Sequence, residues 1–472
     1  MKRIAIVGGG IAGLAAAYEL EKARTRGADI DWQLYEASDR FGGIVETIRQ
    51  DGFVLEQGPD AWVTEKPWAR ELAIELGLEA ELIFSNDATR KTYIVIDDKL
   101  QPIPDRMRMM VPEDLATLEG SPLFSDSARK SYAAELTRAD ELRASAPAED
   151  ESVAAFVQRH FGEEILAKIA APLLSGVFGG DVARLSVRAV MPAFVAMERE
   201  HGSLIAALQA KAKTSSAQPI FTSLRNGLGS LIEALLARLP AERLHLNRSA
   251  LSLKRERNLW CLRISTPGEK GRIGKSKRHF NHVLLATPGD VTRNLLDSLD
   301  PAAAALIPTD ASTAILAAFA FRDATFTLPQ GFGFLVPPIQ NPESKTPLLA
   351  ATFVTQKFPH RAPENAQILR AFFGGSSADH LADASDETIA QTAFGQLQEI
   401  LGPLPVPAIT TVRHWPRSLP QYEVGHLERI AELDRRITTL GGLTLLGNAY
   451  RGVGLPDLIR DSRATVKSLA AK

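Results

Sequence analysis

The chain of 472 residues contains a single cysteine, Cys261, so it can form neither an internal disulfide nor a cysteine-based metal cluster. Its nine histidines are scattered, and none makes a spacing typical of metal ligands. The sequence also lacks an HExxH motif, a nucleophile elbow and any pair of carboxylates that stands out. We therefore expect no metal site and no catalytic group supplied by the protein itself.

Long apolar runs and excess charge are missing as well. No stretch reaches the roughly 18 consecutive apolar residues from which a transmembrane helix is predicted. The formal net charge is −2 at pH 7, and we interpret the one dense basic run, 269–279, as a solvated hairpin loop rather than a docking patch. These features argue against nucleic acid as a partner and favour a cytoplasmic protein, with peripheral attachment to a membrane left open.

A glycine-rich turn follows the first predicted strand. The segment "RIAIV" is apolar on both faces, as in a central parallel strand, and Gly8, Gly10 and Gly13 follow it with GxGxxG spacing. The first glycine permits a tight turn, the second lets the backbone approach a pyrophosphate, and the third lets helix and strand pack closely. The next strand ends at Glu36, about 20 residues on, where a carboxylate accepts from ribose hydroxyls. The N-terminus imitates a signal peptide, but this arrangement argues against export.

The residues after Glu36 favour a flavin over a nicotinamide cofactor. The segment "EASDRFGG" adds a charge and two further close backbone approaches at Arg40, Gly42 and Gly43, and "FVLEQGP" ends in Gly58-Pro59. This set of motifs resembles the FAD-containing amine oxidase superfamily, whose members share Glu-x-x-x-Arg-x-Gly-Gly and a Gly-Pro close to the isoalloxazine.

A second glycine-rich turn lies near the C-terminus, in "LLGNAYRGVGLPDLI". The resemblance implies that this turn returns to the first domain and lies under the same flavin. Gly447 and Asn448 would then lie beside the diphosphate, and Gly452 to Gly454 beside the ribityl chain and pyrimidine. A helix starting near Leu455 would direct its positive N-terminal dipole toward the pyrimidine, where reduction builds negative charge.

The resemblance implies an α/β fold with a Rossmann-type FAD-binding domain assembled from discontinuous segments, a strand-rich (α+β) substrate domain and a helical insertion. It implies non-covalent FAD, because amine oxidases that tether flavin use a cysteine near the C-terminal motif and Cys261 is not there. The FAD-binding domain is assigned to 1–90, 216–290 and 410–472, the substrate-binding domain to 91–104 and 291–409, and the helical domain, with a membrane-facing role left open, to 105–215. The residues assigned to FAD are Gly8, Gly10, Ile11, Ala12, Gly13, Glu36, Ala37, Arg40, Gly42, Gly43, Gly58, Pro59, Ala250, Trp415, Gly447, Asn448, Gly452, Val453 and Gly454.

Four further segments make the resemblance specific to one group within this superfamily. They are "FTSLRNGLGSL", "LLSGVFGGDVARLSVRAVMPAF", "HWPRSLPQYEVGH" and "GNAYRGVGLPD", and together they resemble the oxygen-dependent porphyrinogen oxidases of haem synthesis. The resemblance implies a six-electron oxidation of coproporphyrinogen III or protoporphyrinogen IX by FAD and O₂, with release of H₂O₂. Because the flavin N5 takes the hydride, no strong catalytic base is needed.

The same resemblance implies a substrate slot formed by Phe353, Leu335 and the backbone around Gly176. Some protoporphyrinogen-oxidising members carry an arginine for a propionate where this chain has Thr92. Arg90 and Lys91 precede that position and are candidate propionate partners, so coproporphyrinogen stays open as the substrate.

Two other classes of function remain open at this stage. One is another flavin oxidase of the superfamily, acting on an amine or a carotenoid. The other is a non-catalytic flavin protein that carries a haem precursor. Hand-off of the product to the next enzyme of the haem pathway is a further partnership that the resemblance leaves open.

Overall fold

The first glycine-rich turn joins a buried strand to a 15-residue helix in the computed structural model of the protein. The structure describes residues 1–212, 218–267, 273–323, 325–337 and 347–470. In chain order, the strands of these residues are β1 (Lys2–Val7), β2 (Ile30–Tyr35), β3 (Thr47–Gln50), β4 (Phe53–Glu56), β5 (Trp62–Val63), β6 (Leu82–Phe84), β7 (Thr92–Ile96), β8 (Lys99–Pro102), β9 (Met107–Arg108), β10 (Val111–Pro112), β11 (Phe221–Leu224), β12 (Leu244–His245), β13 (Ala250–Glu256), β14 (Leu259–Pro267), β15 (Ile273–Phe280), β16 (His282–Leu285), β17 (Ala311–Phe321), β18 (Gly333–Leu335), β19 (Ala350–Phe353), β20 (Gln367–Gly374), β21 (Ile409–Pro420) and β22 (Leu443–Leu445).

Helices occupy the space between these strands, and a π-helical turn, Leu166–Ala170, joins the sixth helix to the seventh. In chain order, the helices of the described residues are α1 (Ile11–Thr25), α2 (Trp68–Glu75), α3 (Asp126–Thr137), α4 (Ala139–Ala144), α5 (Val153–Phe161), α6 (Glu163–Ile165), α7 (Ala171–Phe178), α8 (Val187–Val190), α9 (Pro192–His201), α10 (Leu204–Ala212), α11 (Gly229–Ala237), α12 (Gly289–Asp297), α13 (Pro301–Leu306), α14 (Val354–Lys357), α15 (Gly375–His380), α16 (Asp386–Leu401), α17 (His426–Leu440) and α18 (Leu455–Ala470).

A five-stranded parallel sheet, in the order β12-β2-β1-β16-β22, holds the first turn. Its central strand β1 is apolar on both faces because both are covered: Ile4 and Ile6 pack toward α1, α11 and α18, while Ala5 and Val7 pack toward β13–β15 and α17. The strands come from the beginning, middle and end of the chain, so this α/β unit is built from separated segments, as expected for the predicted fold.

A seven-stranded sheet, in the order β21-β17-β20-β19-β18-β7-β8, forms the second layer. Its pairs are antiparallel except β18 with β7. Alternate residues of its strands pack in one apolar cluster with α15 and α16. The opposite face is called the inner face here, and it carries the row in which Leu335 pairs with Ala350, Ala350 with Phe372, and Phe372 with Leu316.

One sequence prediction about a basic segment is corrected by this arrangement. Residues 273–279 of the basic run lie in strand β15 rather than in a loop, because this edge strand of the β13-β14-β15 sheet buries only one face and its other face accepts charged side chains. Residues 269–272 lie outside the described residues. The Met- and Arg-containing segment around Arg108 is the short hairpin β9–β10, and Met110 between its strands is fully buried.

The third part of the structure is helical and has a polar centre. Helices α3, α5, α9 and α10 pack around an apolar cluster, and His160 of α5 is buried within it between Glu135 and Glu198. The two ring nitrogens of His160 lie 3.1 and 3.2 Å from oxygens of these carboxylates. Among the described residues, no helix is long and apolar enough to span a bilayer.

The contacts of His160 predict a pH-dependent stability. Burial alone lowers the pKa of His160, but the hydrogen bonds that its ring donates to Glu135 and Glu198 outweigh burial and raise this pKa above the usual value. A raised pKa in the folded protein means that the charged ring stabilises the fold fully below its unfolded pKa of about 6.5. That stabilisation is lost as the pH rises through the folded pKa.

We expect His160→Gln to lower the free energy of unfolding by about 3–5 kcal/mol at pH 6, because it leaves the buried carboxylate of Glu135 without a cation, whereas Glu198 keeps its ion pair with Arg159. The loss should shrink as the pH rises. Denaturant unfolding from pH 6 to pH 9 measures this, with His201→Gln as the control, since His201 is a half-exposed histidine. Parallel stability curves for wild type and His160→Gln would contradict the prediction.

Candidate functional site

At two positions of the first glycine-rich turn, the surrounding backbone leaves no room for a side chain. Gly8 has a φ of +107°, and a Cβ there would lie 2.3 Å from the carbonyl oxygen of Ala286. A Cβ on Gly13 would lie 1.9 Å from the carbonyl oxygen of Gly8. Gly10 is different: its Cβ would meet only the Cα of Gly43, at 3.9 Å, so the space above it is open. The turn therefore has a closed side, where helix and strand meet, and an open side.

Glu36 lies beside this turn at the end of β2. Its Oε2 accepts from the backbone N–H of Gly9 at 2.6 Å, and its Oε1 accepts from the N–H and hydroxyl of Ser38 at 2.8 Å. Gly10 and Gly42 form an isolated parallel bridge. The predicted ribose carboxylate, the fingerprint turn and the Gly42-Gly43 pair are thus brought together around one cradle.

The Gly58-Pro59 segment is held against the same cradle. A Cβ on Gly58 would lie 1.9 Å from the carbonyl oxygen of Ile44, so only glycine fits. Trp415 Nε1 donates to the carbonyl of Gln57 at 2.5 Å, and the guanidinium of Arg370 donates to the carbonyl of Gly58. Both donors project from the inner face of the seven-stranded sheet, so this sheet sets the position of the segment.

A buried ion pair lies directly after the Gly58-Pro59 segment, at Asp60. Lys357 Nζ lies 3.1 Å from both carboxylate oxygens of Asp60, and Arg370 lies 3.4 Å from one of them. Burial raises the pKa of Asp60, but Lys357 and Arg370 outweigh it and hold this pKa at about 2. Asp60 is therefore ionised and paired near neutral pH, and it is a poor proton acceptor.

The C-terminal turn is anchored by Tyr422 and His426. The hydroxyl of Tyr422 donates to the carbonyl of Asn448 at 2.5 Å and accepts from the N–H of Gly452 at 2.9 Å. The His426 ring stacks on Tyr422 with 4.0 Å between centroids, and its Nε2 donates to the carbonyl of Tyr450 at 2.8 Å. Burial lowers the pKa of His426, which keeps the ring neutral in this role.

Helix α18 begins at Leu455, directly after this turn, as the sequence predicts. Gly452 has a φ of +137°, and a Cβ there would lie 2.8 Å from the side chain of Asp457. Asp457 is buried in the first turn of α18 and accepts from Lys66 Nζ at 2.6 Å. The two glycine-rich turns share the carboxyl edge of the parallel sheet, because β1 and β22 both pair with β16 there.

The remaining predicted cofactor residues lie around these turns. Ile11 and Ala12 are buried in the first turn of α1, and Ala250 opens β13 and pairs with Ile264. Arg40 donates to the carbonyls of Phe41, Gly43 and Val45 and lies over the ring of Trp415 at 5.7 Å. The other predicted positions are Ala37, which follows Glu36, and Gly447, Val453 and Gly454, which lie within the C-terminal turn.

Of the residues predicted for the substrate slot, the structure brings Gly176 and Leu335 together. A Cβ on Gly176 of α7 would lie 3.1 Å from Leu335 Cδ2, so the helix backbone faces the inner side of the seven-stranded sheet at this point. Arg90 and Lys91 immediately precede β7, whose first residue Thr92 pairs with Gly333.

Phe353 lies on the opposite face of this sheet, so the structure does not bring it together with Leu335 and Gly176 as the predicted slot requires. Residues alternate between the two faces of a strand, so Phe353 pairs with Leu369 and packs with Phe334 in the cluster that faces α15 and α16. It has 0% exposure. The aromatic side chain in the row of Leu335 is Phe372, which is partly exposed.

The sequence carries a signal for the face on which Phe372 lies. In "QILRAFFG" the charged Arg370 and Phe372 are two residues apart, so both must lie on one face of a strand. Since Arg370 faces the Gly58 segment, Phe372 had to face the same side.

The cradle fits a dinucleotide such as FAD. The open space above Gly10, the Glu36 carboxylate and the two glycine-rich turns supply the close backbone approaches that a diphosphate needs. On the inner face, Thr352 Oγ1, Arg370 Nε and Thr411 Oγ1 are buried without a hydrogen-bond partner among the described residues. Such orphaned polar atoms are expected where a ligand supplies the missing partners.

Comparison with known proteins agrees with this geometry. The family model of flavin containing amine oxidoreductases matches residues 11–466. The coproporphyrinogen III oxidase of Bacillus subtilis (strain 168) is 30% identical over 480 residues, covering 98% of this chain and 97% of that protein. The chloroplastic protoporphyrinogen oxidase of Nicotiana tabacum is 28% identical, covering 95% and 82%. A crystal structure from Exiguobacterium sp. 255-15, named as a candidate protoporphyrinogen oxidase, has a TM-score of 0.86 and 32% identity, covering 100% and 99%.

The closed side of the first turn predicts the effect of a single methyl group. We expect Gly13→Ala to push α1 away from β1, because its Cβ would lie 1.9 Å from the Gly8 carbonyl oxygen. Bound FAD, released by acid and counted spectroscopically, should fall from stoichiometric to a small fraction.

The matched control is Gly395→Ala in α16, where a Cβ meets nothing within 4 Å. This change should keep full FAD and stabilise the helix by up to about 1 kcal/mol. Stoichiometric FAD in Gly13→Ala would show that the close approach does not govern cofactor binding.

Proposed function

The chain belongs to the flavin containing amine oxidoreductase family and is an FAD-dependent oxidoreductase, and from that premise we propose that it oxidises a porphyrinogen of haem biosynthesis. The observation that carries the proposal is the apolar row of the inner face, in which Leu335 and Phe372 lie together and the backbone of Gly176 approaches Leu335, and which we interpret as the wall of a substrate slot. Such a slot suits a flat, apolar macrocycle better than a small cationic amine.

The names of the relatives support the same substrate class. Proteins named coproporphyrinogen III oxidase or protoporphyrinogen oxidase align with 95% or more of this chain. An amine or a carotenoid as substrate has only fold-level support, since the putrescine oxidase structure is 17% identical.

The bound flavin supplies the acceptor for the hydride of a methylene bridge, with O₂ as the final oxidant and H₂O₂ as product in our proposal. The protein itself binds the porphyrinogen and orients it. Trp415 and Arg370 fix the Gln57-Gly58 backbone, and the apolar row excludes water from the macrocycle. Asp60 is paired with Lys357, and its pKa of about 2 makes it a weak base, so we propose that no side chain acts as a strong base.

The proposal is tested by mixing the FAD-loaded protein anaerobically with coproporphyrinogen III, protoporphyrinogen IX, putrescine or a polyene. We expect loss of the oxidised flavin absorbance with a porphyrinogen alone, and H₂O₂ on admission of air. Flavin reduction by putrescine or the polyene alone would replace the proposal with another oxidase. Tight porphyrin binding without any flavin reduction would indicate a carrier.

The two faces of the seven-stranded sheet predict opposite effects for two phenylalanines. We expect Phe372→Ala to raise KM for the porphyrinogen or to lower kcat/KM at least tenfold, because it removes a wall of the slot. The flavin spectrum and the melting temperature should change little, since Phe372 is only partly buried.

Phe353→Leu is the matched control on the opposite face. It should lower the stability by about 1–2 kcal/mol through lost packing, and leave KM within twofold of wild type. Steady-state kinetics and thermal unfolding of both variants check this pair. A KM effect in Phe353→Leu with none in Phe372→Ala would reverse our assignment of the faces.

Arg90 and Lys91 remain our candidates for the propionates. Arg90 is half-exposed, and its nearest carboxylate among the described residues, that of Asp87, is 3.9 Å away. A charge-assisted contact is worth roughly 1.5–3 kcal/mol when shielded from water, and much less at an exposed rim.

We therefore expect Arg90→Ala with Lys91→Ala to raise KM several-fold, and more for coproporphyrinogen, which has four propionates, than for protoporphyrinogen, which has two. The value of kcat should barely change, because the contact is equal in ground and transition states. Arg106→Ala is the control, since Arg106 pairs with Glu113 and Asp114. Equal KM values for wild type and the double variant on both substrates would remove this pair from the site.

A further inference from the structure

The three-stranded sheet β13-β14-β15 has one face with a cluster of side chains that the flavin site does not use. Trp260 and Phe280 pair across β14 and β15 and pack inward toward the parallel sheet. The neighbouring pair, Cys261 with His279, faces the opposite side. Cys261 is nevertheless only 4% exposed, because the side chains of Glu256 and His279 close over it.

The three side chains bring their ligand atoms to one point. A carboxylate oxygen of Glu256, Cys261 Sγ and a ring nitrogen of His279 all lie within 4.8 Å of one another. Glu256 Oε2 and His279 Nε2 are 2.9 Å apart. A zinc ion has bonds of about 2.0–2.3 Å to such ligands, so tetrahedral geometry places the ligand atoms roughly 3–4 Å apart. Small side-chain rotations of Glu256 and His279 would bring the three ligand atoms to these distances.

We propose that Glu256, Cys261 and His279 form a binding site for a zinc-class divalent transition metal. A thiolate, an imidazole and a carboxylate are the donor set of such ions, whereas magnesium and calcium prefer oxygen ligands alone. Binding displaces the thiol proton of Cys261 to solvent and forms the metal–sulfur bond, with no change in oxidation state. The fourth position faces solvent, on the side where Glu256 and His279 are about two-fifths exposed.

The site joins three strands, because Glu256 belongs to β13, Cys261 to β14 and His279 to β15. A bound ion would therefore cross-link the sheet whose opposite face packs on the parallel sheet. Two competing cations lie nearby. Lys254 is the cross-strand partner of Cys261, and Lys277 Nζ is 3.8 Å from Glu256 Oε1, but the Lys277 side chain is 64% exposed and can turn into solvent.

The sequence predicts no metal site, and our proposal departs from that prediction at this one place in the chain. The three ligands are spread over positions 256, 261 and 279, which is no recognised ligand spacing. They converge only because the register of the sheet sets His279 directly across from Cys261.

The test uses the FAD-loaded full chain and Zn²⁺ alone, and it exploits the single cysteine. We expect one equivalent of Zn²⁺ to bind by calorimetry and to slow the reaction of Cys261 with a thiol reagent at least tenfold, while Mg²⁺ has no effect. Cys261→Ser and His279→Gln should each weaken Zn²⁺ binding at least tenfold, with unchanged circular dichroism. His201→Gln should bind as wild type does, because His201 is a half-exposed histidine on α9, in another part of the structure.

Two results would overturn the site. One is Zn²⁺ binding that is equal in wild type and Cys261→Ser, which would mean adventitious surface binding. The other is thiol reactivity that Zn²⁺ does not change. Neither readout depends on turnover, so failure of the porphyrinogen assay would leave this test unaffected.

Discussion

Polar contacts to residues 57–60 fix the position of the two large sheets of this protein relative to each other. Trp415 and Arg370 donate to consecutive carbonyls of this segment, and Lys357 pairs with Asp60 at 3.1 Å. All three donors belong to the seven-stranded sheet or the short helix that follows β19, whereas the acceptors belong to the flavin side. Removing one partner of a buried ion pair leaves a charge without compensation, at a cost of about 3–5 kcal/mol. The relative position of slot and cofactor cradle is therefore set by polar contacts that few substitutions can replace.

A second connection runs through two successive residues, Gln421 and Tyr422. The Gln421 amide donates to the carbonyl of Phe178, at the end of α7, at 3.0 Å. The Tyr422 hydroxyl bridges Asn448 and Gly452 in the C-terminal turn. The helix that carries Gly176 and the turn assigned to the flavin are thus held by one short segment. Two residues of "PQYEVGH" therefore join the end of α7 to the C-terminal glycine-rich turn.

The chemistry of the site follows from what these contacts leave available. The carboxylate beside the Gly-Pro segment is ionised and paired, and its pKa is held at about 2. The inner face offers an apolar row and three orphaned polar atoms, and no free base among the described residues stands in that row. An oxidation in which the cofactor takes the hydride needs nothing more from the protein than binding, orientation and exclusion of water. That is the role we assign to it for a porphyrinogen.

The sequence alone determined the parallel α/β unit, the two glycine-rich turns and the flavin family, because these depend on local spacing: Gly8, Gly10 and Gly13 act within one turn, and Glu36 ends the next strand. Strand alternation near Arg370 was also readable, but the sequence did not show which face of the sheet carries Leu335, so Phe353 was predicted beside Leu335 although Phe372 lies in that row. Pairing between distant strands decided that question, and it also brought Cys261 beside His279 and His160 between two carboxylates. Such contacts depend on register and on the packing of helices from separate parts of the chain, and no spacing along the sequence records them.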